Sequence, residues 1–204
     1  MEPLYIGLSG VAGSGKDTFF SYLEKILNNK KIKRYSFGDQ LKKEVSPWTL
    51  EHYGVDSLTK DREDKEIIRP FLIFHASAKR QKTKGKYWIE KTEEEIEKTL
   101  QLGKEFYPEI ICITDVRYNF YECDEVSWIK RKGGIIVYIS RVFEDGSILE
   151  AKNSEEQKHD PLVRRVADYT VEISEKNNEE DIEKEMTDKT NVFLQWLKTK
   201  KWKM

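Results

Sequence analysis

The segment Gly10-Val11-Ala12-Gly13-Ser14-Gly15-Lys16-Asp17-Thr18 constrains the chain more than any other. The apolar run Leu4-Tyr5-Ile6-Gly7-Leu8-Ser9 before it reads as a buried strand. Phe19, Phe20, Leu23, Ile26 and Leu27 after it recur at helical spacing. Strand, glycine-rich turn, lysine and helix form the setting in which a backbone loop cradles phosphate. Gly10, Gly13 and Gly15 let successive N–H groups point inward as a concave anion nest. Ala12, Ser14 and Thr18 complete the loop, the helix N-terminus adds its own N–H groups and dipole, and Lys16 adds a mobile charge for the outer phosphates of ATP.

One position departs from the usual pattern, which places Ser or Thr after the lysine to reach Mg²⁺. Here Asp17 stands there and Thr18 follows. Asp17 either holds Mg²⁺, directly or through water, or caps the helix with a charge suited to its N-terminus.

At 204 residues the chain is long enough for one domain with a substantial core. Its 36 basic and 37 acidic residues leave no global field to draw in nucleic acid, and no apolar run is long enough to span a membrane. Met1-Glu2-Pro3 leads straight into the first strand, so no signal peptide is expected, and Cys112 and Cys123 make neither a disulfide framework nor zinc spacing. The expectation is a cytoplasmic protein, monomeric or homodimeric, whose partners are small nucleotides.

Further along, residues 33–37 read as a second strand. Asp39 is the expected cap of a helix from Gln40 to about Tyr53, and Thr59 of the next, which Pro70 is expected to kink or restart. Lys79 to Lys91 is the most basic window, either a solvated face or a mobile segment that closes on phosphate. Glu109 to Asp115 is the clearest buried strand. Its carboxyl end, Asp115-Val116-Arg117, stands where α/β folds bind ligands, although the two charges could also pair with each other. A helix from about Tyr118 to Arg131, a Gly133-Gly134 stop and a strand ending at Arg141 follow. Residues 142–165 lack a core pattern and read as a lid; a short strand and a helix capped by Asn178 close the chain. Alternating strands and helices predict an α/β three-layer sandwich with a five-stranded parallel sheet, the loop's strand central and helices on both faces.

Two classes that share such loops are excluded by missing motifs. A guanine-nucleotide switch should carry Asn-Lys-x-Asp, and the chain's only Asn-Lys, at Asn29-Lys30, lacks the Asp. Motor ATPases are usually larger. Two arginine-bearing excursions, one before the third strand and one after the fourth, suit a small-molecule kinase.

From about Leu4 to Val171 the chain resembles the phage-type deoxynucleoside monophosphate kinases, a branch of the P-loop nucleotide kinases. The resemblance rests on Gly13-Ser14-Gly15-Lys16-Asp17-Thr18, Ser36-Phe37-Gly38-Asp39-Gln40-Leu41-Lys42, Arg69-Pro70-Phe71-Leu72, Arg80 with Tyr87-Trp88, Asp115-Val116-Arg117-Tyr118, Gly133-Gly134 before a strand ending at Arg141, and Asn153-Ser154-Glu155. Phe74-His75-Ala76-Ser77-Ala78 replaces the family's Leu-Gly-Thr-acid stretch, and Asn153 stands where its lid has histidine. The preferred acceptor base is left open by both departures.

The resemblance implies a single domain over residues 1–204, with an acceptor-binding insertion at about 39–104 and a lid at about 142–165. It implies transfer of the γ-phosphoryl group of ATP, with Mg²⁺, to a deoxynucleoside monophosphate. Lys16, Arg117, Arg141 and Arg164 would be catalytic, and Arg165 would join Gly10 to Thr18 in holding ATP. Lys42, Arg69, Arg80, Trp88, Asp115 and Arg117 would hold the acceptor, and Asp17 the metal. Tyr35, Trp48, Tyr87 and Trp88 are candidates for stacking on a base. Two other readings stay open: a P-loop kinase of another small phosphorylated acceptor, of the phosphomevalonate or dephospho-coenzyme A type, and a nucleotide-binding module without catalysis.

Overall fold

A computed structural model describes residues 2–27, 32–103, 107–175 and 178–200. In chain order the elements are β1 (Leu4–Ser9), α1 (Lys16–Leu27), β2 (Ile32–Tyr35), α2 (Phe37–Tyr53), α3 (Arg62–Thr83), α4 (Lys86–Leu100), β3 (Ile110–Val116), α5 (Glu125–Arg131), β4 (Ile135–Val142), α6 (Ser154–Arg164), β5 (Tyr169–Ser174) and α7 (Glu179–Thr199). The five strands form one parallel sheet in the order β2-β3-β1-β4-β5, with β1 at its centre.

Side-chain alternation along the strands builds two cores. Ile6 and Leu8 of β1, Ile110 and Cys112 of β3, and Ile135, Val137 and Ile139 of β4 face one side, where Phe19, Leu23, Phe193 and Leu197 of α1 and α7 cover them. Tyr5, Ile111, Ile113 and Ile136 face the other, under Trp88, Ile89 and Ile96 of α4 and Trp128 and Ile129 of α5. Buried on both faces, the three inner strands are mostly apolar, whereas the edge strands β2 and β5 carry exposed polar residues. Helix α5 lies so close to β1 that a Cβ on Gly7 would come within 2.5 Å of Ile129 Cδ1.

Several local expectations change. Helix α2 starts at Phe37 and its cap is Ser36, whose hydroxyl accepts from the Asp39 N–H at 3.3 Å; the Asp39 carboxylate instead pairs with Arg34. Asp61, not Thr59, caps α3, which runs unbroken through Pro70. The basic window is the end of α3 and the start of α4, joined through left-handed Lys84 and Gly85, so it is a helical corner and not a free segment. The helix expected from Tyr118 begins only at Glu125, because the carboxylates of Asp124 and Glu125 fold residues 117–121 into a turn.

Candidate active site

The carboxyl ends of β1 and β3 bound the crevice where chain connections leave in opposite directions, the usual ligand position in such sheets. From β1 comes the glycine loop. Gly10, Gly13 and Gly15 all have positive φ, and at Gly10 a Cβ would meet the Ile139 carbonyl at 2.2 Å. Glycine is therefore required there twice over, by conformation and by space. The loop ends at Lys16, the first residue of α1, whose ammonium donates to the carbonyls of Gly10 (2.6 Å) and Val11 (2.9 Å). Burial first, and the Arg117 guanidinium second, hold that ammonium below its ordinary pKa. Asp17 is exposed inside the first turn of α1, so its charge suits the helix end but it does not cap it.

From β3 come Asp115 and Arg117, which do not pair with each other. The Asp115 carboxylate accepts from Ser36 Oγ (2.8 Å) and from the N–H groups of Phe37 (2.9 Å) and Gly38 (2.7 Å), so it ties the start of α2 to the end of β3. Arg117 reaches across to Glu156 Oε1 on α6 at 3.0 Å. Beneath it, Glu125 Oε2 accepts from the backbone N–H groups of Arg117 (2.6 Å) and Tyr118 (3.1 Å). Burial pushes the Glu125 carboxyl up to about 8, against the pull of the Arg117 N–H.

Between these elements lies a cavity of about 240 Å³. Phe37, Leu41, Leu72, Ile73, Ala76 and Trp88, from α2, α3 and α4, form its apolar lining. Asp115, Arg117, Glu125, Glu155, Glu156, His159 and Asp160 form its polar lining. The Trp88 indole is fixed by an N–H to the Ala76 carbonyl at 3.2 Å. Asp160 accepts from the Tyr138 hydroxyl at 2.8 Å, and its pKa is raised chiefly by burial.

The expected site residues divide. The cleft brings together Gly10, Trp88, Asp115 and Arg117, with Lys16 at its edge. Of the four candidate stacking aromatics, only Trp88 lines it. Tyr35 is buried with its hydroxyl on Thr99, Trp48 stacks on Phe71 and His52, and the Tyr87 hydroxyl donates to Glu44.

Arg80 is not at the cleft wall. It is buried in an ion pair with Asp124, its guanidinium 3.7 Å from the centre of the Tyr118 ring and 4.8 Å from that of Tyr121. Asp124 in turn accepts from the N–H groups of Phe120 (2.9 Å) and Tyr121 (3.0 Å), so this pair shapes the turn that follows Arg117. Arg69 is exposed on α3 and paired with Glu66; it shares a helix face with Leu72, Ile73 and Ala76 but stands a turn before them, outside the cleft lining. Lys42 is half-buried outside the cleft lining.

On the lid side, Arg141 ends β4 with its Nε buried and unpartnered, and Arg164 lies over the Tyr138 ring at 5.4 Å. Arg165 is exposed at the end of α6. Helix α6 turns Glu156, His159 and Asp160 to the cleft instead of its arginines. These three, with Phe37, Leu41 and Glu125, had no assigned role in the sequence reading. The spacing 156, 159, 160 does mark one face of a helix, once a helix is known to be there.

Among the described residues, no group of three His, Cys, Asp or Glu could hold a metal on its own. Asp115 is already engaged by three donors. The residues fit Mg²⁺ as an ion that arrives on phosphate, with Asp17 the carboxylate left to touch it or its water shell.

No protein-family model matches the chain, and no curated protein matches it. Among solved structures it is similar to TT1252 from Thermus thermophilus, at 12% identity over 95% of this chain and 97% of that one with a TM-score of 0.50. Dephospho-CoA kinase from Campylobacter jejuni is similar at 14% identity over 97% and 98%, TM-score 0.47. Shikimate kinase from Acinetobacter baumannii, in complex with shikimate, is similar at 17% over 98% and 96%, TM-score 0.41. At such identities the likeness is one of fold, the α/β sandwich with a five-stranded parallel sheet that the strand pairing shows directly. No helix is long and apolar enough to cross a membrane, among the described residues.

Proposed function

We propose that the chain transfers the γ-phosphoryl group of ATP to a small acceptor seated in the cleft between α2, α3, α4 and α6, and that this acceptor is a deoxynucleoside monophosphate. One observation carries the reading. Lys16 ends the glycine loop and donates to the carbonyls of Gly10 and Val11, and those two residues line the same cleft as Arg117, so the two cations flank a nest of loop N–H groups. Two cations converging on an anion nest favour a migrating phosphoryl group between them.

An oxygen of the acceptor phosphate attacks the γ-phosphorus while the bond to the β–γ bridging oxygen breaks and ADP leaves. The acceptor oxygen is already anionic near neutral pH, so no side chain has to take a proton. Catalysis is then positioning and charge neutralisation. The loop N–H groups and Lys16 hold the donor phosphates, and the N–H groups of Arg117 that Glu156 does not take hold the acceptor phosphate. The lining of Phe37, Leu41, Leu72 and Trp88 is apolar and suits a base. Mg²⁺, held by Asp17 directly or through water, would offset charge on the donor phosphates.

A second acceptor class is favoured by a specific observation. Arg80, expected on the acceptor phosphate, is buried against Asp124, and four acidic side chains besides the protonated Glu125 (Asp115, Glu155, Glu156, Asp160) line the cleft with Arg117. A less anionic small acceptor suits such a wall. Product separation after incubation with ATP, Mg²⁺ and a panel of nucleoside and deoxynucleoside monophosphates tests the choice. Diphosphate from one or a few deoxynucleotides is expected. ADP formed only with a non-nucleotide acceptor would keep the kinase and discard the nucleotide. ATP binding without transfer to anything would leave a binding module.

A further inference from the structure

Of the described buried side-chain atoms without a hydrogen-bond partner, only Glu156 Oε2 and His159 Nδ1 belong to residues that line the cleft. They sit three residues apart on α6, hence on one face of the helix. His159 is only 4% exposed. Its ring is set edge-on against Tyr118, with centroids 4.8 Å apart, and against Phe120 at 6.2 Å, so its orientation is fixed by packing. Its Nε2 lies 3.7 Å from Glu155, too far for a hydrogen bond. The other oxygen of Glu156 accepts from Arg117 at 3.0 Å. Buried polar atoms are almost always satisfied, and one left bare costs the full desolvation of the group. Because both residues line the cleft, the missing counterparts of these two buried atoms would come from what binds there.

We propose that Glu156 and His159 determine acceptor specificity by binding one hydrogen-bond-donating group of the acceptor, an O–H or an N–H. An ionised carboxylate only accepts, so the counterpart must donate to Glu156. A neutral imidazole can accept a second hydrogen from an amine or donate to the lone pair of a hydroxyl, and either group completes both atoms. The assignment rests on the proposed transfer to an acceptor in this cleft, and its source is either a sugar hydroxyl or an exocyclic base amine. It also accounts for why α6 turns carboxylates and not arginines inward: this wall reads the neutral part of the acceptor.

The test uses the full chain, ATP with Mg²⁺, and whichever deoxynucleoside monophosphate the wild type accepts, beside analogues that lack the 3′-hydroxyl or the exocyclic amine. His159→Phe keeps the ring against Tyr118 and Phe120 and removes both nitrogens. It should raise the acceptor KM about ten- to a hundredfold while leaving the ATP KM within twofold. His159→Asn returns a polar atom near the Nδ1 position and should recover part of the loss. Glu156→Gln should raise the acceptor KM as well. The His159→Phe penalty should vanish for one analogue only; loss with the 3′-deoxy analogue names the sugar, loss with the amine-free analogue names the base. An acceptor KM unmoved in His159→Phe, or a penalty equal for every analogue, overturns the assignment while the kinase reading stands. A wild type that transfers to no nucleotide overturns both.

Discussion

The two walls of the cleft are made in opposite ways. The loop wall is nine consecutive residues, Gly10 to Thr18, presenting backbone N–H groups and one lysine. The facing wall is assembled from α2, α3, α4, α5, α6 and the end of β3, and its side chains are mostly apolar or acidic. Backbone N–H groups recognise phosphate whatever it is attached to, whereas a mosaic of side chains recognises shape and hydrogen-bonding pattern. Under the proposed transfer, the difference would give generic donor binding to one wall and discrimination between acceptors to the other. Lys16→Ala gives the largest expected break in this contrast. It should lower turnover about a thousandfold or more with every acceptor alike. An acceptor-dependent loss in single-turnover assays would move Lys16 to the discriminating wall.

Next in size is the support under the facing wall. The Arg80–Asp124 pair is buried, and removing one partner leaves an uncompensated charge. Asp124→Ala should therefore cost about 3–5 kcal/mol of folding free energy in urea titration. Arg80→Met with Asp124→Leu should cost less than Asp124→Ala alone, since neither charge is then stranded. A double variant as unstable as the single one would mean that the N–H groups of Phe120 and Tyr121, not the ion pair, set the loss.

Arg117 is the point where the walls meet, because it lies near Lys16 and is held by Glu156. Arg117→Ala should raise the acceptor KM and lower kcat together by about a hundredfold in kcat/KM, with a smaller change in the ATP KM. A change confined to the ATP KM would place Arg117 with the donor.

Legibility in the sequence follows the same division. The strand, loop, lysine and helix are contiguous, and local chemistry alone dictates them, so the P-loop, the central place of β1 and the five-stranded parallel sheet could be read directly. Asp115 and Arg117 were also legible as a strand end, because β3 is a continuous apolar run. Their partners were not. Asp115 meets Ser36 across 79 residues, Arg117 meets Glu156 across 39 and Arg80 meets Asp124 across 44. No periodicity specifies such pairings; they follow from how α2, α3 and α6 pack on the sheet. Arg80 and Arg117 look alike in sequence. One becomes a buried prop because Asp124 and two tyrosine rings enclose it, the other a cleft residue because α6 approaches it from the open side.

The mildest contrast concerns Glu125, the carboxylate behind the facing wall, and it is read in stability. Its carboxyl titrates near 8 in the folded chain against 4.5 ordinarily, with burial outweighing the N–H bond from Arg117. Between those two values the folded state keeps a proton that the unfolded state has released. Stability must therefore fall as pH rises through that window and level off above about 8, with a slope of at most about 1.4 kcal/mol per pH unit from this one group. Glu125→Gln keeps an oxygen to accept from the Arg117 and Tyr118 N–H groups and does not titrate. Its urea midpoint should change less than the wild type's between pH 6 and pH 8.5. If the two proteins instead show the same pH dependence, Glu125 is ionised in the folded state and its bonds to Arg117 and Tyr118 outweigh burial. The turn that carries Arg117 would then be anchored by a charge and not by a protonated carboxyl, and the facing wall would be more acidic than the neutral Glu125 described here makes it.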